Sequence, residues 1–142
     1  MTTGYTKPLI DNPTYNSREW WAAAKEHRLL YQRCRSCGTH TLPPRDVCPG
    51  PDCLVVKDLE WREATGMGHI FSFTVMHQTA DPRFREDVPY VFALIDLDER
   101  VRLWSNIVGI DPEAVRVGQR VQVEWDDVTE TVALPKFRVV ED

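Results

Sequence analysis

Two spacings of apolar residues follow one another along the chain. Near the N-terminus, Trp20, Trp21, Ala24 and His27 recur at helical spacing among helix formers, and Ser17 stands where an N-cap belongs. This predicts a helix from Arg18 to about His27. From Leu59 onward the period falls to two, the signature of half-buried strands. A short strand is expected over 59–64, followed by a bend or bulge at Gly66 and Gly68. Over 69–78, Phe71, Phe73 and Val75 fall on one face. Over 88–97, Val91, Ala93, Ile95 and Leu97 oppose Tyr90, Phe92 and Leu94. Asp98 and Glu99 turn the chain into 100–108, where Val101, Leu103, Ser105 and Ile107 alternate with Arg102, Trp104 and Asn106. Asp111-Pro112-Glu113 reads as one capped helical turn, closed by Val117-Gly118. Residues 120–126 set Val121, Val123 and Trp125 against Gln122 and Glu124, and Phe137 and Val139 mark a last strand after Pro135.

Five main strands, with a helical turn between the third and fourth, predict a mainly β fold. The expected form is a five-stranded Greek-key barrel of the OB type, with a filled interior. Apolar residues on both faces of 88–97 imply that part of the outer barrel surface is covered by the helix, by the intervening segment or by another chain. We divide the chain into an N-terminal arm and helix (1–28), a ribbon (29–57) and the barrel (58–142). Within the arm, Pro8 and Pro13 oppose regular structure, and Leu9, Ile10 and Tyr15 are placed to lie along another surface.

The ribbon holds every cysteine in the chain: Cys34, Cys37, Cys48 and Cys53. They form a C-x2-C pair and a C-x4-C pair inside one short window. Two close pairs of thiolates match the tetrahedral preference of Zn(II), and Gly38 suits the tight turn after the first pair. Two disulfides or four packed thiols are the alternatives, but no secretory signal is evident that would favour oxidation. A closed four-thiolate site leaves no open coordination position, so the expected Zn(II) is structural. His40 stands in the same window, and we expect it to be a surface-loop residue rather than a ligand. Around the cysteines, 29–32 reads as the first ribbon strand, 41–44 as an extended Pro-rich segment and 54–57 as the last ribbon strand.

Charge narrows the partners. The 142 residues carry a net charge of −5, and eight basic against fourteen acidic residues lie beyond residue 80. An acidic barrel is a poor match for a phosphate backbone. No apolar run approaches the length of a membrane span, and a cytoplasmic location is expected. The histidines His27, His40, His69 and His77 offer no evident catalytic constellation. His77 precedes Asp81, Arg83 and Arg85, which reads as an acid–base cluster or, more simply, as a solvated loop. In the same loop Arg83 and Arg85 flank Phe84, an aromatic anchor between two anion-binding forks.

Trp20-Trp21, Cys34-Arg35-Ser36-Cys37-Gly38, Pro43-Pro44-Arg45 and Cys48-Pro49 are followed by Pro89-Tyr90-Val91 with Leu94, and by Val117-Gly118 leading to Val121. This series resembles the zinc-ribbon and OB-fold family of acyl-CoA-associated proteins known as domain of unknown function thirty-five. The resemblance runs from about Ser17 to Val140. The longer second cysteine pair departs from the family pattern, as does Arg100, where the hairpin turn favours glycine. The resemblance implies a rubredoxin-like zinc ribbon and a non-catalytic companion of a thiolase-superfamily enzyme. That enzyme would be a thiolase or a lipid-transfer-protein-like aldolase, steroid side-chain degradation included. The chain would stabilise this partner and help form its acyl-CoA site, with acyl-CoA a ligand of the heteromeric complex only. Expected partner- or CoA-facing residues are Trp20, Trp21, His77, Arg83, Phe84 and Arg85. The competing reading is a single-stranded nucleic-acid-binding protein, with Phe71, Phe73 and Trp104 stacking on bases.

Overall fold

The computed structural model describes residues 5–9 and 12–141. Of the arm residues singled out above, Ile10 lies outside the described residues. The helix, α1 (Arg18–Lys25), buries Trp20, Ala23 and Ala24, an i, i+3, i+4 stripe. Ser17 occupies the N-cap position but makes no side-chain cap bond to the helix; its hydroxyl points back to the Thr14 carbonyl. The helix stops before His27. The His27 amide donates to the Ala24 carbonyl and the Arg28 amide to the Ala23 carbonyl, a Schellman arrangement with His27 at φ 62°. The left-handed position usually goes to glycine. Here the imidazole stacks on Trp125, with ring centroids 5.4 Å apart, and Nε2 lies 2.8 Å from Asp127 Oδ1. These contacts with the barrel offset the backbone cost.

Next comes a three-stranded antiparallel sheet in the order β2-β1-β3, made of β1 (Leu30–Cys34), β2 (His40–Thr41) and β3 (Leu59–Glu63). Its composition corrects one expectation. Residues 54–57 do not form the last ribbon strand; only a Val47–Val56 bridge lies there, and Leu54 and Lys57 sit at φ 52° and 58°. Left-handed residues cannot continue a ladder, so the 59–63 strand fills the place beside β1, with Cys34 opposite Leu59.

The remaining strands close a barrel in the order β4-β5-β6-β8-β7. They are β4 (Met67–Met76), β5 (Tyr90–Leu97), β6 (Arg102–Val108), β7 (Arg120–Asp127) and β8 (Ala133–Val139). The only parallel pairing among them is β6 with β8. Three-residue turns of 3-10 helix, Pro82–Phe84 and Pro112–Ala114, lead out of Asp81 and Asp111, each of which caps its own turn by accepting from an amide two residues on. Val91, Ala93, Ile95, Leu97, Val101, Ile107, Val121 and Phe137 fill the interior, as their alternation requires. Arg100 takes φ 65° in the β5–β6 turn, the conformation for which glycine would be preferred.

Strand β4 departs from simple alternation. The register slips between Ile70 and Ser72, so Phe71 is the extra residue of a β-bulge. Before the bulge Gly68 and Ile70 point inward; after it Phe73 and Val75 do, and Phe71 is left outside. Phe71 therefore does not share a face with Phe73 and Val75. Phe92 on β5 and Trp104 on β6 are exposed on the same outer surface.

The ribbon sheet and the barrel are joined at one corner. The Ala64 amide donates to the Leu29 carbonyl, and the Thr65 amide donates to the Glu99 carboxylate. His40 Nδ1 lies 2.6 Å from the Glu99 carbonyl oxygen, while its ring leans on Tyr31. His40 is thus neither a free loop residue nor a metal ligand. It sits in β2 and bridges the ribbon to the barrel's tightest turn.

Candidate metal centre and partner-facing residues

The first cysteine pair is built by the end of β1. The Gly38 amide donates to the Cys34 carbonyl at 2.9 Å, and the Cys34 amide donates to the Thr39 carbonyl at 2.8 Å. Gly38 at φ 80° completes this turn. The second pair is closed differently. The Gly50 amide points at Cys48 Sγ at 3.3 Å, and the Cys53 amide donates to the Gly50 carbonyl at 3.1 Å. The four-residue gap is therefore a turn folded around Gly50, which returns Cys53 to the cluster. Sequence reading singled out Gly38 and missed Gly50. A Cβ on Gly50 would meet Thr39 Oγ1 at 3.0 Å, Cys37 Sγ at 3.2 Å and Cys48 Sγ at 3.3 Å.

All four sulfurs lie within 4.8 Å of one another and none is in a disulfide. Cys34 and Cys53 are 3.8 Å apart at sulfur, and Cys37 and Cys48 are 3.5 Å apart. A tetrahedron with Zn–S bonds of about 2.3 Å has edges of about 3.8 Å, so the donor set fits the ion. Charge leads to the same place. Hydrogen bonds from the Thr39 hydroxyl and amide hold the Cys37 thiol down at about 6. Burial pushes Cys48 up. A backbone hydrogen bond at Val55 draws Cys53 down, but burial and the surrounding sulfurs outweigh it and push that thiol up to about 12. Sulfurs this close cannot all be thiolates without a cation among them, and a divalent ion supplies that charge. Cys34 and Cys48 are fully buried while Cys37 is exposed, so the cluster sits at the rim of the ribbon.

The residues expected to face a partner are scattered. Trp20 is not available to one: its ring is buried, and Nε1 donates to the Leu30 carbonyl at 3.0 Å, which fixes α1 on the ribbon. Trp21 packs edge-on against it at 4.8 Å and is half-buried along a groove with Leu42, Pro43, Pro44, Leu103 and Trp104. His77 is exposed just beyond β4. Arg83 does not hold its fork out to solvent; both Asp81 carboxylate oxygens accept from it, and this holds Asp81 down at about 2. Phe84 is half-buried, with Tyr90 on one side at 6.4 Å and the Lys7 ammonium on the other. Arg85 is exposed. The loop is thus tied down by the arm, as Lys7 also pairs with Asp87 at 3.1 Å. As site residues, sequence reading named Phe71, Phe73 and Trp104 only for base stacking in the competing reading and gave Phe92 no site role.

Comparisons with known proteins bear on both parts. A model of the ChsH2 rubredoxin-like zinc ribbon domain matches residues 21–55, and one of the ChsH2 C-terminal OB-fold domain matches residues 61–126. A probable enoyl-CoA hydratase alpha subunit of Thermomonospora curvata is 39% identical over 136 residues, 93% of this chain. The chain spans only 40% of that relative's length. A DUF35 domain-containing scaffold protein of Methanocaldococcus jannaschii is 32% identical over 80% of this chain and 78% of its own. A solved structure described as an Ltp2-ChsH2(DUF35) aldolase superposes with a TM-score of 0.80 at 35% identity, covering 94% of this chain and 98% of the other. With ribbon, barrel and cysteine cluster all in place, the chain belongs to the DUF35 family of zinc-ribbon and OB-fold proteins.

Proposed function

We propose that this chain is a non-catalytic subunit of a heteromeric acyl-CoA enzyme, and that its partner is a thiolase-superfamily chain of the aldolase or thiolase kind. The observation that carries this reading is the 0.80 superposition, at 35% identity and over nearly the whole chain, on the DUF35 component of an aldolase. The chemistry of the ribbon agrees with it. Four thiolates around Zn(II) leave no position for substrate, so the metal's part is to hold Cys34, Cys37, Cys48 and Cys53 together and so order the ribbon. The chain's own residues then stabilise the partner and complete the wall of its acyl-CoA site. The substrates are acyl-CoA esters with a cleavable carbon–carbon bond, those of steroid side chains included.

The test is co-expression with thiolase-like chains encoded beside it. Size-exclusion chromatography, zinc analysis and acyl-CoA carbon–carbon cleavage are then measured on the products. We expect one zinc per chain, a co-eluting heteromer and activity only in that heteromer. A zinc-free chain that elutes alone in the presence of every such partner refutes the reading.

A further inference from the structure

The outer face of β4, β5 and β6 carries three exposed aromatic rings: Phe71, Phe92 and Trp104 at 45%, 39% and 58% exposure. Helix α1 packs elsewhere, on β1 and β8. We propose that this aromatic ridge, with the groove beside it, is the surface on which the thiolase-like subunit docks. The inference rests on the function proposed above and adds the place of contact.

The rings are ordered in advance. Phe92 and Trp104 stack at 4.7 Å with planes 9° apart, and the Arg102 guanidinium lies 3.6 Å over the centre of Phe71. Aromatic and Arg anchors already fixed by their neighbours lose little freedom on binding, and such residues dominate interface energetics. With about 150–250 Å² per aromatic side chain, the exposed fractions amount to roughly 300 Å², as large as the main apolar patch of a typical monomer. The ridge does not stop there. Trp104 also lines the groove formed by Trp21, Leu42, Pro43 and Leu103. Ridge and groove together would form the apolar centre of a standard interface of roughly 800 Å² per partner, with a polar rim supplying the rest.

Charge selects the occupant. Arg100 and Arg102 are exposed at the end of the ridge, beside His69, whereas Glu124, Asp127 and Glu130 lie out on β7 and the turn after it. Of the nearby carboxylates, Asp96 lies 3.9 Å from the Arg102 guanidinium, Asp98 is engaged by both guanidinium nitrogens of Arg120, and Glu99 turns to the Thr65 amide on the ribbon side. The rim of the ridge thus sets Arg100, Arg102 and Arg120 against Asp96 and Asp98, a small arginine excess on an otherwise acidic barrel. A second copy docked by the same face would set this arginine excess against itself, because a two-fold interface presents the same patch from both sides. A nucleic-acid strand needs a basic groove that tracks its backbone, and two arginines at one end do not make one. A protein face with an apolar centre and an acidic rim meets both requirements.

The test measures affinity between the full chain and its co-expressed thiolase-like partner for Trp104→Glu, Arg102→Glu and Val56→Glu. The last alters a separate exposed aliphatic patch, formed by Val47, Leu54 and Val56 on the ribbon. Zinc content and thermal melting check that each variant folds. We expect at least a tenfold weakening for Trp104→Glu, a smaller loss with reduced salt dependence for Arg102→Glu, and no change for Val56→Glu. If the wild-type complex forms and Trp104→Glu binds within twofold of it, the docking surface is wrong while the proposed function stands. If Val56→Glu alone weakens binding, the interface belongs to the ribbon patch and the proposal falls. A wild-type homodimer dissolved by Trp104→Glu, or oligothymidine binding abolished by it, assigns the ridge to another occupant and also overturns the proposal. If wild type forms no complex with any thiolase-like chain, the proposed function fails and the docking surface with it.

Discussion

Replacing Gly50 by alanine should weaken the metal centre without touching a ligand. The added methyl would stand 3.2 Å from Cys37 Sγ and 3.3 Å from Cys48 Sγ, closer than ordinary carbon–sulfur contact by a few tenths of an ångström. The hydroxyl of Thr39, 3.0 Å away, is held by its hydrogen bond to Cys37 Sγ. The sulfurs cannot move once a metal binds them, since a shift of that size is a large part of a bond-length tolerance of about 0.2 Å. The strain is that of overpacking, about 1–3 kcal/mol, which corresponds to roughly 5- to 150-fold in zinc affinity. The Gly50 amide still donates to Cys48 Sγ in the variant, so the loss isolates the steric effect. Competition with a chromophoric zinc chelator measures it directly. Because the clash exists only against fixed sulfurs, the variant and wild type should melt alike after zinc is stripped and differ only when it is bound. An affinity within twofold of wild type refutes the reasoning, as does an equal loss of stability in the stripped proteins.

Other perturbations test the frame around that centre. Gly68→Ala places a methyl 2.5 Å from the Asp96 carbonyl oxygen and 3.0 Å from Leu97 Cα. These are backbone atoms of a barrel stave, so about 3 kcal/mol or more should be lost in urea denaturation; a loss below about 1 kcal/mol would mean the barrel can open there. Trp20→Phe keeps an aromatic side chain but removes the indole N–H and some buried volume, stranding the buried Leu30 carbonyl at a cost of about 1–3 kcal/mol or more with zinc content unchanged; unchanged urea stability would mean that carbonyl finds another donor. The Arg120 guanidinium holds the Asp98 carboxyl below its ordinary 3.8. A depressed folded value means that its stabilisation is complete above the ordinary value and is lost as pH falls through the folded one. Asp98→Asn should therefore cost about 1 kcal/mol at pH 7, a small figure because the pair is partly exposed, and clearly less at about pH 3, below the ordinary value. The same difference at both pH values would show that the charge is not what matters.

What was legible in the chain followed from local rules. Cysteine spacing specified a chemistry, and period-two alternation specified which residues of β5, β6 and β7 point inward. Reading failed where one residue changes the parity of everything after it. Ile70 and Phe71 are both apolar, so nothing in the text says which of them is the bulge, and Phe71 was placed on one face with Phe73 and Val75. The ribbon's third strand was misplaced for a similar reason. Leu54 and Val56 look like half of a buried strand, yet both are more than 60% exposed, because the turn that carries Cys53 to the metal consumes that segment. His27 was read as the last helical residue, whereas its contacts with Trp125 and Asp127, about a hundred residues away, make it the residue that ends the helix. Each miss depends on a partner distant in sequence, which neither propensity nor periodicity can see.

The position of the metal relative to the groove gives the clasp a consequence beyond stability. Leu42, Pro43 and Pro44 line the groove beside Trp104, and they lie in the segment that joins Cys37 to Cys48. That segment has few anchors of its own: β2 is two residues long, His40 is held by Glu99, and the Arg45 amide donates to the Gln32 side chain. With zinc present, both ends of the segment are pinned to one ion. Without it, the two cysteine pairs are no longer tied to each other through the metal, and the groove wall keeps only the anchors just named while the Phe92–Trp104 stack, held by the β5–β6 ladder, remains. Zinc removal by a mild chelator should then weaken partner binding before the barrel unfolds. The measurement is affinity for the thiolase-like subunit alongside barrel stability read from the fluorescence of Trp125. Binding that survives until the barrel itself melts would mean that the ribbon contributes nothing to the docking surface.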